Sequence, residues 1–187
     1  MRRRIKDNLR LVAKDLESSR VDLPLPLKLR TAELILKLMR RRGHFGLFVI
    51  LGWQRKWHKH LDISDSRQDI FAADRHDIME AGRRRHRRHD IGLTVNFDGA
   101  ILIDGRGGIV HSGVFIEGLR PRVAAQRLNS GRFDDLSEQF GFETKVHARH
   151  LSAITASYIF RGTTIFTVSE ENGAFHIFEG GRIVHRG

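Results

Sequence analysis

The stretch Asn96-Phe97-Asp98-Gly99-Ala100-Ile101-Leu102-Ile103 sets a carboxylate and a glycine at the edge of an apolar run. Aliphatic and β-branched residues in succession fit a buried strand. Gly99 lacks a Cβ, so backbone or a ligand can approach closely beside the acid. Further along come Ala148-Arg149-His150 and then Val168-Ser169-Glu170-Glu171. Three such elements in this order point to a candidate nucleotide site.

The surrounding pattern is that of a sheet flanked by helices. Residues 93 to 97, 100 to 104 and 109 to 116 read as strands, the last two joined through the turn Asp104-Gly105-Arg106-Gly107-Gly108 into a hairpin. Residues 120 to 140 and 148 to 159 read as helices. Thr163 to Val168 is a β-branched strand, and turns at Glu171-Asn172-Gly173 and Gly180-Gly181 lead into strands 174 to 178 and 183 to 185. Towards the N-terminus, Ile5, Leu9, Val12 and Leu16 recur at helical spacing, which predicts an amphipathic helix over 4 to 18. Val21 to Pro26 reads as a linker, because each proline lacks an amide donor and disfavours helix in the preceding residue. Thr31 is then the expected N-cap of a helix through Arg42, with Ala32, Ile35, Leu36 and Met39 on one face and Gly43 ending it. A buried strand is expected at 45 to 51. Residues 53 to 90 carry only a weak helical pattern through Ile70, Phe71, Ile78 and Met79. The expected fold is α/β, a mixed central sheet flanked by helices. Residues 1–30 form an N-terminal helix and linker, and residues 31–187 the main domain.

Composition bounds the rest. The 187 residues suffice for one domain with a proper core, and 40% hydrophobic with 29% charged residues is ordinary for a globular chain. The absence of cysteine removes disulfides and thiolate chemistry, and fits a reducing cytoplasm. The start Met1-Arg2-Arg3-Arg4 leads into an amphipathic segment, not a signal peptide, and the apolar run Phe45 to Trp53 is too short for a membrane span. We therefore expect a cytoplasmic protein. A net charge of +11 implies attraction to polyanions. The densest block, Arg83 to His89, reads first as a solvated loop or helix end, with nucleic-acid contact through Arg83 to Arg88 the less favoured use. His58 and His60, or His86 and His89, lack recognised zinc spacing.

From residue 91 to 184 the chain resembles the diadenylate cyclase domain, the nucleotide-binding domain of DNA integrity scanning-type proteins; a weaker likeness covers 31 to 56. That family carries Asp-Gly-Ala and Arg-His-Arg motifs. Here the first is complete as Asp98-Gly99-Ala100. The second stands as Arg149-His150-Leu151-Ser152, with Ala148 where relatives often have Thr. The resemblance implies a nucleotidyltransferase that condenses two ATP into the second messenger cyclic di-AMP, releasing two pyrophosphates across a homodimer or larger homo-oligomer. It implies that Asp98, Arg149 and His150 are catalytic, with Asp98 holding Mg²⁺ or Mn²⁺ and orienting or deprotonating the attacking hydroxyl. Gly99 and Ala100 would lie against the nucleotide, Phe115 and Ile116 would enclose adenine, and Ser169 and Glu171 would contact phosphate, base or metal. The Ser152 hydroxyl would partly substitute for the missing third side chain of the second motif. Because that motif is altered, the alternative is a degenerate relative that binds ATP or a cyclic dinucleotide without turnover.

Overall fold

The run Leu47-Phe48-Val49-Ile50-Leu51 is buried on both faces, so helices must cover the sheet from both sides. The computed structural model describes residues 2–63, 65–72, 76–80, 91–94 and 97–187. Its elements are α1 (Arg2–Glu17), α2 (Leu25–Arg42), β1 (Leu47–Trp53), β2 (Leu61–Asp62), β3 (His76–Asp77), β4 (Ala100–Asp104), β5 (Gly108–Ile116), α3 (Pro121–Leu128), α4 (Leu136–Gln139), α5 (Ala148–Ile159), β6 (Thr164–Val168), β7 (Phe175–Glu179) and β8 (Arg182–Arg186). The strands form one mixed sheet in the order β2-β5-β4-β1-β6-β7-β8, with β3 also paired to β5. Among the described residues only β1 and β4 run parallel; the other described pairs are antiparallel.

Side chains alternate between two cores, as successive strand residues must. Val49, Leu51, Ile101, Ile103, Phe166 and Ile177 pack with α1 and α2. Phe48, Ile50, Leu102, Ile165 and Phe178 pack with α3 and α5. The expected α/β class, a mixed sheet flanked by helices, is what the chain forms. α1 lies on α2 and β8, where His185 Nδ1 meets Asp15 Oδ2 at 2.7 Å.

Several local expectations are corrected. Thr31 is not an N-cap: α2 begins six residues earlier, at Leu25, with Pro26 in its first turn, where a missing amide hydrogen does no harm. Thr31 instead turns its buried hydroxyl onto the Leu27 carbonyl at 2.9 Å. The helix expected over 120 to 140 is broken into α3 and α4. Asp135 caps the second piece by accepting from the amides of Ser137 and Glu138 at 2.7 and 3.0 Å, bonds that hold its carboxyl below the usual range. The strand expected over 93 to 97 does not form at its described residues: Ile91–Leu93 is a 3₁₀ turn, the Thr94 amide bonds the Ile91 carbonyl at 3.0 Å and the Phe97 amide bonds the Thr94 carbonyl at 2.9 Å, while residues 95 and 96 lie outside the described residues. Between 53 and 80 the chain makes a 3₁₀ helix (Arg55–His60) and the short strands β2 and β3 rather than a longer helix, with Phe71 and Ile78 buried beside α2. The basic block Arg83 to His89 lies outside the described residues. No helix among the described residues is long and apolar enough to cross a membrane.

Candidate functional site

Strand register brings the three motifs to one end of the sheet. Val49 of β1 lies opposite Ile101 of β4 in parallel, and Leu47 lies opposite Val168 of β6 in antiparallel. The starts of β1 and β4 and the end of β6 therefore coincide. β5 also ends there, with Val114 opposite Ala100. Asp98-Gly99 and Ser169-Glu170 thus project from strands on either side of β1, two strand spacings or about 10 Å apart. α5 starts at the same end. A Cβ built on Gly46 would overlap the Arg149 guanidinium, so the glycine makes the room that Arg149 fills. From there Arg149 Nη1 lies 3.9 Å from Glu170 Oε2.

The individual residues divide between exposed and structural positions. Asp98 is exposed on the turn before β4. Gly99 has φ +91°, and a Cβ there would come 2.5 Å from the Val114 carbonyl oxygen, so its bareness serves β5 as well as any ligand. The Ala100 methyl is fully buried in the α5-side core, which leaves only its backbone for ligand contact. Phe115 is exposed, whereas Ile116 packs against the α5-side core; as neighbours on a strand they point to opposite faces. Ser152 is half-buried one turn beyond Arg149 on α5. Ser169 closes the β6–β7 turn, its carbonyl accepting from the Gly173 amide at 2.9 Å. Glu171 is exposed and meets His147 Nε2 at 3.0 Å. Glu170 and Glu171 thus place two carboxylates at the N-terminus of α5, where the helix dipole favours negative charge.

A cavity of about 380 Å³ opens on the α5 side of this end, over β6, β7 and β8. Its lining includes Lys145, His147, His150, Ser169, Glu171 and His176. Asp98, Phe115 and Ile116 do not line it. His150 is buried, with its ring edge-on to His176 at 5.0 Å and to Phe142 at 6.1 Å. Its Nε2 is shut off from solvent and bonded to nothing, as is His176 Nδ1. Burial first, then the positive charge of Arg149, holds the His150 imidazole below its usual pKa. Burial, with His150, Arg186 and His185 adding to it, pushes His176 down to about 4. Both rings are therefore neutral near pH 7, so His150 offers hydrogen bonding rather than charge. Gly46, His147 and His176 escaped the sequence reading: the first acts through a contact distant in the chain, and the histidines fall in no recognised motif.

A divalent cation fits only in a limited way. Among the described residues no three His, Cys, Asp or Glu side chains cluster as a metal site. Mg²⁺, however, keeps several waters and is commonly held by one or two carboxylates together with substrate phosphates. Asp98, exposed at the sheet end, has the chemistry for that single-carboxylate role.

No family profile matches the sequence, and no curated protein matches it. Among solved structures, the chain is similar to a double mutant of DacA from Staphylococcus aureus, a diadenylate cyclase. The two share 14% sequence identity at a TM-score of 0.47, over 86% of this chain and 85% of that one.

Proposed function

We propose that the chain binds ATP at this end of the sheet and, as a homodimer, joins two ATP molecules into cyclic di-AMP. The observation that supports this most is the convergence of Asp98-Gly99-Ala100, Arg149 and Ser169-Glu170-Glu171 from separate segments onto one sheet end. In the reaction, the 3′-oxygen of one ATP attacks the α-phosphorus of the other, its bond to pyrophosphate breaks, and the step is repeated in the opposite sense. The Asp98 carboxylate orients the 3′-hydroxyl and takes its proton. Arg149 and the free amides of the α5 N-terminus neutralise phosphate oxygens, and the Ser169 hydroxyl donates to one of them. Asp98, together with the substrate phosphates, would hold Mg²⁺ or Mn²⁺, which would supply further charge neutralisation. Each chain holds one ATP, so a partner chain must bring the second into line.

One observation favours a second reading, nucleotide binding without turnover. Leu151, at the third position of the altered motif, packs against the α5-side core and offers nothing to phosphate. Purified protein incubated with ATP and Mn²⁺ or Mg²⁺ separates the two. Cyclic di-AMP formed by the parent and absent with Asp98→Ala supports the cyclase. ATP binding without product, by folded protein, overturns it in favour of the binding reading.

A further inference from the structure

A second charged feature lies away from the candidate site, in the groove between the free ends of α1 and α2. This groove of about 590 Å³ is lined by Ile5, Lys6, Glu33, Lys37, Arg40 and Arg41. Its one carboxylate is already spoken for: Glu33 meets Arg30 at 2.6 Å and Lys37 at 2.5 Å. Burial acts to raise the Glu33 pKa, but the hydrogen bonds from Lys37 and Arg30 outweigh it and hold the group below its usual value. Lys6, Arg40 and Arg41 enter no ion pair among the described residues. All three are exposed. The groove therefore carries three uncompensated cations.

We propose that this groove binds the phosphate backbone of a nucleic-acid strand. Lys37, Arg40 and Arg41 stand three and four residues apart along one face of α2, about 6 Å of helix axis, with Lys6 opposite them on α1. A row of cations set in two walls matches charge repeated along a strand, and guanidinium groups take phosphate oxygens in pairs. The groove is concave and Ile5 is its single apolar lining residue, so it offers a flat lipid surface neither a plane nor an apolar wedge. Phosphate contact of this kind is indifferent to base sequence.

The test is fluorescence anisotropy of the full chain with a labelled single strand of about 20 nucleotides, titrated over about 50 to 200 mM salt. The variant is Lys6→Gln/Arg40→Gln/Arg41→Gln, which breaks no ion pair, and circular dichroism checks its fold. Three lost phosphate contacts should flatten the slope of log K against log salt by about 2, at about 0.7 per contact for a single strand. Affinity at the lowest salt should drop at least tenfold. Arg40→Lys, which keeps the charge, should retain most of the slope. A folded variant that binds the strand as tightly and with the same slope as the parent overturns the proposal and moves any binding to another basic segment. A parent that binds inorganic tripolyphosphate or phosphatidylglycerol vesicles through these residues, but not the strand, overturns it equally.

Discussion

Lys28→Met should unfold this protein more readily than any change at the candidate site. The Lys28 side chain is 2% exposed and that of Glu179 5%, with Nζ 3.0 Å from Oε1. The ammonium also donates to Ser19 Oγ at 2.6 Å and to the Val21 carbonyl at 3.0 Å, so each of its three protons has an acceptor. Glu179 accepts in addition from Thr164 Oγ1 at 2.6 Å and Ser19 Oγ at 2.5 Å. Methionine keeps the length of the lysine stem but leaves the carboxylate buried with no opposite charge, a loss of about 3–5 kcal/mol. For a chain of this size each kcal/mol lowers Tm by about 2–4 °C, so the melting point should fall by about 6–20 °C. Urea unfolding followed by circular dichroism reads the loss directly. Lys28→Met/Glu179→Met removes both charges and should recover at least half of it, since apolar replacement of a whole buried pair is often nearly neutral. A single-variant loss below about 1 kcal/mol, or a double variant no better than the single, would refute the reasoning.

Two further outcomes follow from the site. Gly46→Ala should leave stability within about 0.5 kcal/mol of the parent, because the atoms nearest its Cβ are the flexible end of Arg149. The displaced guanidinium should weaken ATP binding, measured by calorimetry, and unchanged affinity would remove Arg149 from the site. His176, pushed down to about 4, binds fewer protons folded than unfolded. Its contribution to stability is therefore complete above its ordinary value near 6.5 and is lost as pH falls towards 4. Thermal unfolding across that range should be flatter for His176→Phe than for the parent; equal slopes would show that the ring does not titrate in this way.

The central architecture was legible because burial on both sides of a sheet forces continuous apolar runs, and Phe45 to Trp53 and Ala100 to Ile103 are such runs. Helix α5 was equally clear, with expected and observed bounds coinciding at 148 and 159. The start of α2 is hard to place from sequence because Pro24 and Pro26 read as helix breakers, although proline is well suited to a first helical turn. The break between α3 and α4 has a local signal in the turn-forming Asn129-Ser130-Gly131 and the capping Asp135, which the helical pattern on either side masks. At the site, the motif residues were visible one by one, but nothing local marks that His150 faces the interior or that Gly46 seats Arg149. Those facts depend on which strands become neighbours, and contacts so distant in sequence leave no periodicity to read.

Strand pairing also sets when the fold can be completed. β1, in the middle of the sheet, finds one neighbour in β4 and the other in β6, with Leu47 opposite Val168. During synthesis β1 must wait for β4, about fifty residues later, to cover one of its hydrogen-bonding edges, and for β6, more than a hundred residues later, to cover the other. Closing such large loops before any pairing is gained makes folding slow. A nascent chain stopped short of β6 exposes an apolar central strand able to pair with another copy, and its survival then depends on chaperones rather than on its own sequence.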